Sequence, residues 1–270
     1  ALFSAKLLGR KVLWRGESVL RGTEKRHSFK NIIKRLLLHS YFKNCDAVLY
    51  SCQGNKEYLL HYGVREEMMF PIPCAVNNDF FLEEKERYRD RVGEIREELE
   101  IPNDHLILLF SARFTPRKRP LDLLKALEKI DHSKISVLFV GDGPSRQEME
   151  DFCQSKNIHV VFTGFKNQSE ISRYYSVADV DLVISDYDPS PKAMNEAMIF
   201  ELPIIVTNVV GTAPDLVMDG ENGFVIEVGA IDILAEKINF LNQHRDQIPV
   251  MGRKSLDIVK ELNFDADAKG

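Results

Sequence analysis

Leu106-Ile107-Leu108-Leu109-Phe110-Ser111-Ala112-Arg113-Phe114-Thr115-Pro116-Arg117-Lys118-Arg119-Pro120 decides how this 270-residue chain folds. An unbroken apolar run this short reads as a strand buried on both faces, as in a parallel sheet. Pro120 suits the first position of a helix, where its missing N–H is one the helix leaves unpaired anyway. Leu123, Leu124, Leu127 and Ile130 then recur on one helical face. The same strand-then-helix unit repeats downstream. Strands are expected at 135–140, 158–162, 182–185, 203–207 and 224–227, and helical spacing lies between them. In the helix expected over 145–156, Ser145 and Glu148 have the spacing of a capping box. Such alternation forces parallel pairing with helices on both faces, so 105–262 is expected to form a complete, doubly wound α/β sheet.

Upstream, residues 1–82 offer only three strand candidates, at 11–14, 47–51 and 69–73, with helices expected near 29–42 and 54–62. Three strands make a thin sheet with open edges. This part is therefore read as the C-terminal portion of a second α/β domain. The charged stretch 83–100 is expected to form a linking helix, Ile101-Pro102-Asn103-Asp104 to complete the boundary at 83–104, and 263–270 to be a tail.

Composition narrows the function. A net charge of -5, from 36 Lys+Arg against 41 Asp+Glu, argues against a surface built for nucleic acid. No apolar run approaches the roughly 18–20 residues of a membrane span, and Ala1-Leu2-Phe3-Ser4-Ala5-Lys6 does not read as a secretion signal. Cys45, Cys52, Cys74 and Cys153 lack metal-ligand spacing and read as reduced, buried thiols. A cytoplasmic location is expected.

Chemistry is suggested by cations placed where helices disfavour them. Arg113, Arg117, Lys118 and Arg119 crowd the entry to a helix whose dipole prefers anions there, at the carboxyl end of a strand, where open α/β sheets bind ligands. A second such place is Asp186-Tyr187-Asp188-Pro189-Ser190-Pro191-Lys192-Ala193-Met194-Asn195-Glu196. Ser190 is expected as N-cap and Pro191 as the first helical residue, leaving free N–H groups for an anion. Lys192 stands at the wrong end of that dipole, and Glu196 follows one turn on. A Lys192–Glu196 surface pair is the plainer alternative, but lysine before glutamate is the weaker order. Two cationic helix starts suit a diphosphate, and a carboxylate beside them suits ribose or sugar hydroxyls. The turn Gly141-Asp142-Gly143 lacks the third glycine of a dinucleotide fingerprint. Gly141 and Gly143 would still let backbone approach a ligand, and Gly164-Phe165-Lys166 could offer backbone groups to a nucleobase.

With these residues the sequence resembles the retaining, nucleotide-sugar-dependent glycosyltransferases of family 4, which have the GT-B fold of two Rossmann-like domains. The likeness covers most of 107–238 and, more faintly, 46–81. The family's Gly-Arg-x-x-x-x-Lys-Gly loop corresponds to Ala112-Arg113, four residues, then Lys118-Arg119. Its pair of glutamates separated by seven intervening residues corresponds to Asp188 and Glu196, with Glu-Ala-Met continuing to Met198. The runs 202–207, 210–217 and 219–223 are also similar. By this resemblance Arg113 and Lys118 hold the donor diphosphate, Glu196 the nucleotide ribose, and Asp188 the transferred sugar. Asp188 is one methylene shorter than the family's glutamate. The family's helix glycines are replaced by Arg119 and by Phe200-Glu201. The resemblance implies transfer of a hexose from a UDP- or GDP-linked donor to a glycan or lipid-linked acceptor, with retention and without a metal, in polysaccharide or cell-envelope synthesis. A nucleotide-sugar-binding fragment without activity of its own and a sugar-nucleotide epimerase of the same architecture are the alternatives. A metal-dependent D-x-D transferase is a rival through Asp179-Val180-Asp181 or Asp186-Tyr187-Asp188.

The first 43 residues hold eleven Lys+Arg and two acids. Over 27–43 a stripe of Phe29, Ile32, Ile33, Leu36, Leu37 and Tyr41 fits a peripheral membrane contact. Packing of the stripe on its own sheet is the favoured expectation, since amphipathic helices usually face a core.

Overall fold

The computed structural model describes residues 2–20 and 29–263. The first part of the chain runs α1 (Leu2–Leu7), β1 (Leu13–Arg15), α2 (Phe29–Lys43), β2 (Ala47–Tyr50), α3 (Gln53–His61) and β3 (Met69–Pro71). Two helices follow, α4 (Asn78–Tyr88) and α5 (Val92–Glu98). Next come β4 (Leu106–Ser111), α6 (Pro120–Leu127), β5 (Ile135–Val140), α7 (Arg146–Lys156), β6 (His159–Gly164) and α8 (Gln168–Tyr175). The chain continues with β7 (Val180–Val183), α9 (Lys192–Ile199), β8 (Ile204–Thr207), α10 (Ala213–Leu216) and β9 (Gly223–Ile226). It closes with α11 (Ile231–Gln243) and α12 (Gln247–Lys260).

The larger sheet has the order β6-β5-β4-β7-β8-β9, parallel throughout. The chain therefore leaves β4 outward through β5 and β6, then returns to β7 on β4's other side and moves outward again. Connections after β4 and β7 diverge, which opens a crevice between their carboxyl ends. Both cationic loops lie at that crevice. Alternation along β4 sorts the core into two layers: Ile107 and Leu109 face the layer that holds Met198 and Tyr175, whereas Leu106, Leu108 and Phe110 face Leu123 and Ile238.

The expected strands recur with ends moved by at most two residues. Two local expectations fail. Ser145 is in the right-handed helical region and its hydroxyl caps nothing. The capping box belongs instead to α8, where Asn167 and Glu170 bond reciprocally. The stretch expected as a linking helix over 83–100 is two helices with a 3₁₀ turn at Arg89–Arg91 between them, beginning at Asn78. Phe81, Tyr88 and Ile95, seven residues apart, are buried in the large sheet's core. Phe81 meets Phe200 edge-on at 6.4 Å, the Asn78 amide donates to the carbonyls of Val259 and Leu262, and Lys85 pairs with Glu201 at 2.5 Å. Most of its charges face water, Glu84 and Lys85 excepted, and its apolar stripe makes this segment part of the larger layer.

The small sheet, β1-β2-β3, is also parallel. The favoured expectation for α2 is overturned. Phe42 is its one buried residue, and Lys34 lies over the rings of Tyr58 and Tyr62. The stripe points outward, with Phe29 78%, Leu36 66% and Leu37 67% exposed. Residues 27–28 of that expected segment, and 264–270 of the expected tail, lie outside the described residues. The two sheets meet through backbone: Gln53 N–H donates to Asp215, Gly54 N–H to the Gly211 carbonyl, and the Asn195 amide to the Cys74 carbonyl. A Cβ on Gly54 would stand 2.9 Å from the Gly211 Cα and carbonyl oxygen, so glycine permits this approach.

Candidate functional site

Three adjoining cavities occupy the crevice. The first, of about 390 Å³, is lined by Arg113, Gly141, Phe165, Lys166 and Ile171, among others. The second, of about 270 Å³, includes Lys118, Asp188, Pro191 and Lys192. A third, of about 660 Å³, joins Ala75–Asn77, at the end of the small sheet's unit, to Phe165, Lys166, Lys192 and Glu196. Ser111 and Ala112 are shared by the first two, and Lys192 by the last two. Of the twelve residues expected at the site, nine line these cavities: Arg113, Lys118, Gly141, Phe165, Lys166, Asp188, Pro191, Lys192 and Glu196. Gly143, Gly164 and Ser190 do not.

The glycines have a reason other than ligand approach. A Cβ on Gly141 would lie 2.0 Å from the Ala112 carbonyl oxygen, and one on Gly143 would lie 2.4 Å from that of Phe114. They admit the backbone of the arginine loop. Phe114 N–H donates to Asp142 O at 2.9 Å and its ring is buried against Phe110 and Phe139, which pins the loop that carries Arg113. Gly164 takes φ +72 and turns the chain so that Phe165 stands 79% exposed at the cavity mouth.

Of the four cations entering α6, two are answered by acids. Lys118 pairs with Asp188, both largely buried, and Arg119 pairs with Asp122 at 2.5 Å. Arg113 and Arg117 have no side-chain partner among the described residues, and only Arg113 of these two lines the cavities. At the second helix start the expected boundary shifts by one residue. Pro191 is the N-cap, Lys192 opens α9, and Ser190 turns to the Cys74 thiol instead of capping. Lys192 makes no ion pair among the described residues, so the plainer Lys192–Glu196 surface pair does not form.

Glu196 is held by a residue that the sequence did not single out. The Tyr175 hydroxyl, fully buried at the end of α8, donates to Glu196 Oε2 at 2.9 Å. Burial raises the Glu196 carboxyl above its usual range, and the tyrosine bond and Lys192 oppose that rise. Tyr175 lies 21 positions away, and nothing in its neighbours signals the contact. The D-x-D rivals dissolve as pairs. Asp179 accepts from Ile107 N–H at 2.7 Å and from Arg96 at 3.3 Å, on the far side of the sheet from the crevice, while Asp181 is buried within β7. Asp186 is exposed and Asp188 is taken by Lys118.

Residues 92–254 match the family model described as glycosyl transferases group 1. The chain is similar to the uncharacterized glycosyltransferase MJ1607 of Methanocaldococcus jannaschii, 27% identical over 85% of this chain and 59% of the relative. It is 27% identical to the N-acetyl-alpha-D-glucosaminyl L-malate synthase of Bacillus anthracis over 67% of this chain and 48% of that one. The chain thus spans about half to three-fifths of these relatives' length. Among solved structures, Anabaena Alr3699/HepE in complex with UDP superposes with a TM-score of 0.83 at 17% identity, over 99% of this chain and 72% of that one. Sucrose-phosphate synthase from Thermosynechococcus elongatus gives 0.77 at 25% identity, over 99% and 69%. The architecture is that of GT-B glycosyltransferases, and with more than half of its length matched the chain belongs to the glycosyl transferases group 1 family.

Proposed function

We propose that this chain supplies the donor side of a retaining, family-4-type glycosyltransferase that moves a hexose from a nucleoside-diphosphate sugar to a glycan or lipid-linked acceptor. One observation carries the reading: Arg113, Lys118, Asp188, Lys192 and Glu196 line adjoining cavities at the switch point of one parallel sheet. The nucleobase lies in the cavity between Gly141 and Phe165, and the diphosphate lies among Arg113, Lys118 and Lys192. Glu196 accepts from the ribose, and Asp188 faces the transferred sugar once Lys118 has turned to phosphate. Charge that develops on the leaving diphosphate is stabilised by these cations and the start of α9, in the role a metal plays elsewhere. UDP in the superposable Anabaena protein supports a uridine or similar nucleotide.

Calorimetry with UDP, GDP, ADP and dTDP tests the reading. At least one binds, and Lys118→Ala and Glu196→Ala each weaken it with the fold intact. Unchanged affinity in both variants removes the site. Product anomeric configuration, read by NMR in an active full-length enzyme, tests retention.

The outward stripe of α2 supports a second element of the proposal, a peripheral contact with an anionic bilayer at the cytosolic face. Lys30, Arg35 and Lys43 flank exposed Phe29, Leu36 and Leu37, which gives both the apolar and the cationic component such binding requires. No helix among the described residues is long and apolar enough to cross a membrane. Flotation with phosphatidylglycerol vesicles should carry the protein, and Leu36→Glu/Leu37→Glu should abolish it. Equal flotation of the double variant would overturn the contact.

A further inference from the structure

The carboxylate proposed to hold ribose is itself an awkward group. Glu196 is buried enough for its carboxyl to be raised, yet a neutral acid accepts hydroxyl hydrogen bonds poorly. Something has to keep it charged and fix its plane. Tyr175 is the only described side chain that donates to it, through a single O–H at 2.9 Å to Oε2. The phenol is wholly buried, its oxygen is in hydrogen-bond contact with the Ser111 hydroxyl, and the same O–H stands 3.4 Å from the Ala193 carbonyl. Ser111 lines the first two cavities and Glu196 the third. The chain Ser111, Tyr175, Glu196 thus runs beneath the whole crevice.

We propose that Tyr175 is the positioning residue for Glu196: its hydroxyl occupies Oε2, keeps the carboxylate ionised, and leaves Oε1 directed to the vicinal ribose hydroxyls of a bound nucleoside diphosphate. The proposal rests on the nucleotide reading above and adds to it the residue that makes the ribose contact work. Other charged groups around the carboxylate are few. Lys192 lies one turn before it on α9 and favours its ionised form. Lys166 lines the same cavity from the turn after β6. Asp181, from β7, is the acid that senses Glu196; its Oδ2 has no partner and burial pushes its pKa up to about 8, so it stays neutral around pH 7 and does not repel Glu196. Without Tyr175, burial would be opposed by Lys192 alone.

The test is calorimetric, on the whole chain, with the tightest of UDP, GDP and ADP and with its 2′,3′-dideoxy form. Tyr175→Phe keeps the ring and removes the O–H. It should weaken the ribonucleotide roughly tenfold, the scale of one hydrogen bond to a charged group, and leave the dideoxy nucleotide unchanged. Affinity for the ribonucleotide depends on the ionised carboxylate, so it is lost as pH falls through the Glu196 pKa. Removing a bond that lowers this pKa should move that loss to higher pH in Tyr175→Phe. The dideoxy nucleotide, whose diphosphate titrates alike, should show no such displacement. In a Glu196→Ala background, Tyr175→Phe should change affinity by less than about twofold, as coupled residues require.

Equal weakening of both nucleotides would overturn the positioning role and leave Tyr175 a packing residue. Wild-type affinity and pH profile in Tyr175→Phe, with Glu196→Ala still impaired, would overturn it while the nucleotide reading stands. Failure of wild type to bind any of the three would remove the nucleotide reading, and this inference with it.

Discussion

The start of α6 and the start of α9 look alike in sequence and differ in charge balance. Each follows a strand of the large sheet, each has a proline at its entry, and each carries cations against the helix dipole. At α6, Lys118 is answered by Asp188 and Arg119 by Asp122, so only Arg113 faces the crevice uncompensated. At α9, Lys192 has no ion pair among the described residues, and the nearby carboxylate, Glu196, is engaged by a phenol instead. A cation that is already paired must be released before it can serve a ligand. A free one already faces the anion's place. The α9 side is thus the preformed half of the site and the α6 side the half that rearranges.

Predictions can break this contrast. The largest effect is expected at Glu196. Glu196→Ala removes two charge-assisted contacts to ribose and should lower nucleoside-diphosphate affinity on the order of a hundredfold, measured by calorimetry at pH 7.5. An equal loss for the 2′,3′-dideoxy nucleotide in Glu196→Ala would place the ribose elsewhere.

Asp181 underlies the same side. Its folded pKa is raised to about 8 by burial, whereas the unfolded carboxyl ionises near the ordinary aspartate value of 3.8. The stability this neutral acid allows is complete below the lower value and falls as pH rises toward the upper one, by at most about 1.4 kcal/mol per pH unit. Asp181→Asn does not titrate. Its melting temperature relative to wild type should therefore climb steadily between pH 5 and 8. A difference constant across that range would mean that Asp181 is ionised in the fold.

On the α6 side, Lys118→Ala and Asp188→Asn should move binding in opposite directions. The first strands a largely buried carboxylate beside the proposed phosphate site, so it should lower affinity and cost roughly 3 kcal/mol of stability by denaturant melts. The second frees Lys118 and should tighten UDP severalfold while the sugar-bearing donor gains less. Weaker UDP binding in Asp188→Asn would show that the pair persists when ligand is bound. Lys192→Ala should do the reverse of a usual site variant. It weakens UDP, and it raises stability by about 0.3–1 kcal/mol, because a cation leaves the positive end of a helix.

How much of this was legible in sequence depends on range. The β4 strand, Pro120 at the first turn of α6 and the parallel pairing of the large sheet follow from local apolar runs and from the strand–helix alternation. Their signals lie within a few residues of each other. Nine of the twelve expected residues line the crevice cavities, and the cations among them stand out in sequence because cations at helix starts are local anomalies. What escaped is long-range. The Lys118–Asp188 pair spans 70 positions and forms because β4 and β7 are neighbours, and the Tyr175–Glu196 bond spans 21 and joins the helices on either side of β7. The outward turn of α2 was missed for a related reason, since a periodic stripe says that a face is apolar and not what it faces. The α4 segment was misread from its charges, although Phe81, Tyr88 and Ile95 at a spacing of seven carry the signal of a buried seam.

The smallest effect sharpens the contrast most. Arg119 and Glu201, in the two stretches where the family resemblance implies helix glycines, both adopt left-handed backbone, with φ of 56 and 60. A side chain there costs about 1 kcal/mol. Each residue has an opposite charge to offset the cost: Arg119 meets Asp122, and Glu201 meets Lys85. These pairs are partly exposed and contribute roughly 0.2–1 kcal/mol, so Arg119→Gly and Glu201→Gly should leave stability within about half a kcal/mol of wild type. The binding arm separates the two halves of the site. If Asp122 truly neutralises Arg119, then Arg119→Gly leaves UDP affinity within about twofold, whereas Arg113→Ala, at a cation with no such partner, lowers it at least tenfold by the usual scale of charge-assisted contacts. Equal losses in the two variants would mean that every cation in the loop reaches the ligand, and that the pairing seen at α6 dissolves entirely on binding.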